Sequence, residues 1–168
     1  MATTLSDLEN ILDGQELSYY TNSKKTAVIL PIPMGEELVS VFVNIQESGE
    51  FIMFRIPFFV SAGRAANRGL LFEKLLALNN KLKLGRFGLD PRDGEVCLEI
   101  GLPVEDGQLT VRQLRRTVAA LRGITRDHRE EMRKLIETGV DPDQQVEECV
   151  RKLLGDAQSE DNQRSNEA

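Results

Sequence analysis

The chain of 168 residues carries one histidine, His128, so one copy cannot assemble a Ser-His-Asp, Cys-His or multi-histidine metal arrangement. His128 falls on the apolar stripe of a long helix. It reads either as a pH-sensitive interface contact or, with more weight, as a partly buried side chain with a satisfied hydrogen bond. Cys97 and Cys149 are too few and too isolated for a disulfide framework or a paired-cysteine metal site. Cys97 alternates with Val96 and Leu98, which turns it away from the apolar set, to an interface or to solvent. Cys149 neighbours Glu147 and Glu148, which disfavour a thiolate. Gly85-Arg86-Phe87-Gly88 has the spelling of a nucleic-acid clamp between two helices. Here a strand-like run and Asp90-Pro91 follow, so a tight helix-to-strand connection is the better reading. Asp90, Asp93 and Glu95 lack calcium-loop spacing and read as turn formers. No phosphate-cradling glycine loop is present. The expectation is therefore no catalytic residue, no metal and no cofactor.

Two features can bind rather than react. Arg115, Arg122, Arg126, Arg129 and Arg133 lie close together by helical spacing, as a strip for an acidic partner or RNA. The competing reading is a solvated face pairing with Glu130, Glu131 and Glu137. Secondly, Phe51 to Phe59 has large apolar groups on both faces; Phe51, Met53, Arg55, Pro57 and Phe59 share one face by parity and need a cover.

The elements that would hold these residues follow from periodicity. Thr3 to Asp13 reads as a short helix, with Thr3, Thr4 and Ser6 as possible caps. Ala27–Pro31, Leu38–Ile45 and Phe51–Phe59 read as strands of an antiparallel meander, with Tyr19-Tyr20 as a possible short addition. Helical spacing returns from Gly63 to Leu82, with leucines at 71, 75, 78 and 82. An Asp93-Gly94 turn then precedes the strand Glu95–Leu102. From Thr110, Val111, Leu114, Val118, Leu121, Thr125, His128, Met132 and Leu135 alternate steps of three and four, and Thr138-Gly139 stops the helix. Pro142–Leu154 is a further amphipathic stretch.

Charge divides along these elements. The net charge is −6 overall; residues 1–63 carry −5, residues 110–138 carry +4 and residues 139–168 carry −5. The acidic balance argues against coating nucleic acid by charge alone. Met1–Asn10 has no signal-peptide pattern and no stretch is long enough to span a bilayer, so a cytoplasmic location is expected. The expected organisation is one α+β domain over residues 1–138, a helical extension over 139–155 and a disordered acidic tail over 156–168.

The run Leu75 to Leu121 carries a resemblance. It comprises Leu78-Asn79-Asn80, Leu84-Gly85-Arg86-Phe87-Gly88-Leu89-Asp90, a hairpin, Pro103-Val104-Glu105-Asp106-Gly107-Gln108-Leu109-Thr110 and an Arg-rich helix. In this order of elements the chain resembles the YbjN-like family of bacterial sensory transduction regulators, over roughly residues 17 to 137. The resemblance implies a type III secretion chaperone-like fold, with an antiparallel sheet of about five strands and helices packed mainly on one side. It also implies a homodimer that binds protein and no catalytic residues. The leading expectation is a non-enzymatic protein-binding or chaperone-like regulatory module of unknown partner, with Phe51, Met53, Arg55, Phe59, His128, Arg122 and Arg129 as the partner or dimer interface. The alternative is a nucleic-acid-associated regulator using the Arg-rich helix 110–137.

Overall fold

The computed structural model describes residues 2–24 and 26–146. Its elements follow the order α1 (Leu5–Asp13), β1 (Tyr20–Thr21), β2 (Ala27–Met34), β3 (Glu37–Gln46), β4 (Phe51–Ser61), α2 (Arg68–Lys81), β5 (Arg86–Leu89), β6 (Glu95–Pro103) and α3 (Val111–Thr138). Both α1 and α3 start in capping boxes. Thr4 accepts from the Asp7 N–H and Thr110 from the Gln113 N–H, and each partner side chain bonds back to the cap. α3 ends at Gly139, whose left-handed φ of 71° closes the last turn onto Leu135 O.

The sheet is antiparallel throughout, in the order β1-β2-β3-β4-β6-β5. It has six strands rather than about five. The sixth, β1, is the possible short addition at Tyr19-Tyr20, found one residue further on, and it pairs Tyr20 and Thr21 with Ile29 and Val28. β2 also runs past the expected Pro31 to Met34. A proline can lie in a ladder only where its nitrogen points away from the partner strand. Pro31 and Pro33 pair with Ser40 and Leu38 of β3, so their nitrogens face the outer edge of β2.

One sheet face and all three helices make a single core. Val41, Val43, Ile52, Phe54, Val96 and Leu98 meet Leu8 and Leu12 of α1, Leu71 of α2, and Leu114, Leu121, Met132 and Leu135 of α3. Each such side chain contributes about 1.5–3 kcal/mol by leaving water. No helix among the described residues is long and apolar enough to cross a membrane.

At the other end of the sheet, α2 closes the edge of β5 with a side chain. Phe87 N–H donates to Asn79 Oδ1 at 2.7 Å, and Asn79 Nδ2 donates to Phe87 O at 2.9 Å. The amide thus makes the two bonds a neighbouring strand would make. Asn79→Ala is expected to cost roughly 1–3 kcal/mol, because both Phe87 backbone groups lose their partner. A denaturation midpoint gives the cost, and faster amide exchange at Phe87 locates it; an unchanged midpoint and exchange rate would refute the role.

Beyond Gly139, residues 142–146 are helical, the described part of the extension expected over Pro142–Leu154. The remainder of that extension, Cys149 and the tail lie outside the described residues.

Candidate functional site

The face of the sheet turned away from the helices is built by cross-strand rows. Phe42, Arg55, Glu99 and Arg86 stand side by side on β3, β4, β6 and β5, and Met53 lies between Asn44 and Gly101 in the next row. Ile29, Phe42, Phe51 and Met53 are half-buried on this face, outside the core cluster, while Tyr20 is 68% and Leu38 71% exposed. Phe51 lies against Gly101, where an added Cβ would stand 2.4 Å from the ring. The missing side chain leaves a depression of about 300 Å³ walled by Phe51, Met53, Arg86 and Glu99.

Ion pairs interleave with this apolar surface. Arg55 bonds Glu95 at 2.8 Å and Glu99 at 3.2 Å, and Arg86 meets Glu99 at 3.2 Å. Burial alone would lower the Arg55 pKa, but its hydrogen bond to Glu95 and the charges around it raise it. Such a surface can hold apolar and polar groups of another chain at once.

Parity fails within β4. Between Ile56, paired with Leu98, and Val60, paired with Val96, β4 passes three residues where β6 passes one. Pro57 has no N–H for the ladder, Phe58 turns to φ 45°, and its N–H is taken by Glu95 Oε1 at 3.2 Å. The bulge sends Phe59 into the core, fully buried and edge-on to Phe87 at 5.1 Å. Phe59 therefore does not share the outer face with Phe51, Met53 and Arg55. Phe58, 60% exposed, stands at the tip of the bulge instead.

Cys97 faces outward as parity requires, yet it is buried, not exposed. It packs on Gly88, where an added Cβ would lie 3.0 Å from Sγ. Burial, with Glu99 adding to it, pushes the thiol pKa up, which keeps it protonated and a poor nucleophile. Asp90 and Asp93 are turn formers. Asp90 holds the Arg92 N–H and guanidinium, which lower its pKa to about 2, and Asp93 accepts from the Glu95 N–H. Gly85-Arg86-Phe87-Gly88 runs into β5, with no second helix after it.

His128, Arg122 and Arg129 do not join the sheet face. His128 is partly buried on α3, its Nδ1 3.4 Å from Glu131 Oε2. Beside it lies a cluster that sequence spacing hides. Lys74 of α2 is 8% exposed, and its ammonium contacts Glu131, Asp141 at 3.2 Å and Asp143 at 2.8 Å. The three carboxylates lie within 4.8 Å of one another, close enough to bind a cation, and the ammonium takes that place. On α3's opposite side, Arg129 Nε donates to Phe59 O at 3.0 Å, and Arg133 grips Glu37 through two bonds of 3.0 and 3.1 Å.

Comparison with known families and structures adds to this geometry. A YbjN family model, described as "Putative bacterial sensory transduction regulator", matches residues 4–134. Among solved structures, YbjN from E. coli, described as "a putative transcription regulator", is 17% identical with a TM-score of 0.59, over 76% of this chain and 92% of its own. A chain of the ExsC–ExsE complex is 20% identical with a TM-score of 0.54, over 81% and 97%. A chain of the HopA1–SchA chaperone–effector complex is 15% identical with a TM-score of 0.53, over 73% and 90%. The fold is the type III secretion chaperone-like one that the order of elements implied. No curated protein matches.

Proposed function

From the premise that this chain belongs to the YbjN family, shown by the match over residues 4–134, we propose that it is a non-enzymatic, protein-binding regulatory or chaperone-like module that acts as a homodimer. The observation that carries this reading is the outer sheet face. Phe42, Phe51, Met53 and Ile29 form a half-buried apolar surface that no helix among the described residues covers, with Arg55, Glu99 and Arg86 set among them. A surface of this kind gains by meeting another protein. The structurally similar SchA complex pairs a chaperone with its effector, which supports the same use of this fold. Chemistry has little to work with: the one described cysteine is buried and protonated, and the single histidine leans on Glu131. The Arg-rich helix as a nucleic-acid strip gains no support from the similar structures, of which the HopA1–SchA complex pairs a chaperone with an effector.

A photo-crosslinking residue introduced at Met53 or at Phe42 is expected to capture the same protein, with no capture from the exposed position Glu73 on α2. Equal capture from all positions, or none from any, would sink the sheet-face reading. Light scattering at tens of micromolar should give twice 18.8 kDa; the monomer mass would remove the dimer.

A further inference from the structure

Along one side of α3 runs a channel that the sheet-face reading leaves unused. Its opposite wall is the β2–β3 hairpin, whose turn is made by Gly35 at φ 65°. Two depressions of about 400 and 390 Å³ share Met34, Gly35 and Arg126, and a third of about 300 Å³ continues past Arg129 and Arg133 to Phe58. The floor is apolar or small: Pro33, Met34, Ala119 and Gly123. The rim is cationic, made by Arg122, Arg126, Arg129 and Arg133.

Two observations identify the occupant. First, the channel already holds a carboxylate. Glu37, at the start of β3, sits in a two-bond grip by Arg133 with Arg129 at 3.4 Å, although its side chain is 52% exposed. Paired guanidinium–carboxylate bonds of this form are the strong, directional ones. Arg126, next to it and exposed, bonds its chain neighbour Asp127 at 2.7 Å. Secondly, the spacing fits an extended chain. The four arginines advance by about 6, 4.5 and 6 Å along the helix axis at 1.5 Å per residue. Acidic side chains on one face of an extended peptide repeat every about 6.6 Å. Among the residues that line the channel only Phe58 offers an exposed ring, so the channel lacks the row of rings on which successive nucleic-acid bases stack.

We propose that the channel between the β2–β3 hairpin and α3 binds an extended, acidic segment of a partner protein, with Glu37 holding the place of one partner carboxylate in the free protein. This rests on the protein-binding reading but uses a different surface.

The test is fluorescence anisotropy of the full chain with a labelled ten-residue peptide alternating Glu and Val, beside one with Lys in place of Glu and a labelled oligouridine. The Glu peptide is expected to bind and the Lys peptide not. Arg122→Glu with Arg126→Glu should weaken binding about tenfold or more, the scale of one lost charge-assisted bond. Lys81→Glu with Lys83→Glu, exposed and outside the channel, should leave it within about twofold. Glu37→Gln should tighten binding by about threefold or more, because the internal competitor loses its charge. All these positions are exposed, and matching thermal melts establish that the variants fold. Binding by neither the native chain nor Glu37→Gln at about 1 mM peptide, an affinity unmoved by Glu37→Gln, or tighter binding of oligouridine would each overturn the proposal. If the peptide fails while crosslinking from Met53 succeeds, the channel alone is refuted; if both fail, the protein-binding reading falls with it.

Discussion

Replacing Leu121 by alanine is expected to destabilise the protein by about 2–5 kcal/mol, while Arg122→Ala one residue on changes stability by less than about 1 kcal/mol. Leu121 is fully buried at the middle of α3, where the helix crosses the inner face of the sheet. Truncation removes its transfer free energy and leaves a cavity that a 28-residue helix cannot collapse to fill. Arg122 is exposed, and its charge is screened by water and salt. Denaturant midpoints with an unchanged slope measure both. If Leu121→Ala leaves the midpoint where it was, the three-four stripe is not core, and α3 is an exposed recognition helix.

Replacing Lys74 by methionine is expected to cost about 3–5 kcal/mol near neutral pH, the penalty for leaving a buried carboxylate without its counter-ion. Asp141 is 5% exposed, and Glu131 is largely covered. Burial alone would lower the Lys74 pKa, but the hydrogen bonds it donates to Asp143, Glu131 and Asp141 outweigh it and raise the value. A raised lysine pKa gives a contribution complete below the ordinary value of 10.5 and lost only as pH climbs through the higher folded value. The Lys74 hydrogen bond lowers the Asp143 pKa below its ordinary 3.8, so that share is present above 3.8 and lost as pH falls through the folded value. The cost of Lys74→Met should therefore be largest between these limits and shrink on acidification, as protonated carboxyls no longer need the ammonium. Stability measured from pH 3 to pH 8 checks this; a pH-independent cost would mean that packing of the lysine stem, not the charge cluster, is what was lost.

These two residues also mark how much could be read from the chain. Leu121 belongs to a regular pattern: Leu114, Leu121, Thr125, Met132 and Leu135 are all buried as the three-four steps require, and Thr110 and Gly139 bound the helix where their types predict. Local rules settle such features because cap, stripe and stop lie within one element. Lys74 obeys no local rule, since its partners Glu131, Asp141 and Asp143 are brought to it only by the packing of α2 on α3. In the candidate site, Phe51, Met53 and Arg55 fall on the outer face as alternation requires, and Phe59 does not, because the bulge at Pro57 and Phe58 breaks the count. Pro57 was the one visible signal, a residue without the N–H that a central strand needs. Cys97 faced outward as expected, and only the empty space at Gly88 explains its burial. Asn79 lay within the quoted resemblance, yet its double bond to Phe87 depends on where α2 ends relative to β5.

The two ends of the sheet have a further bearing on how such a molecule survives in a crowded cell. A protein that displays Phe42, Phe51, Met53 and Tyr20 on a face that no helix among the described residues covers runs the risk of ribbon growth, chain adding to chain through main-chain bonds until fibrils form. That growth needs a free edge as a template. At one end Pro31 and Pro33 present no N–H to an incoming strand, and at the other Asn79 already occupies the donor and acceptor of Phe87. With the edges blocked at these positions, contacts through the outer face have no main-chain ladder to extend them, and association there would stop after one layer.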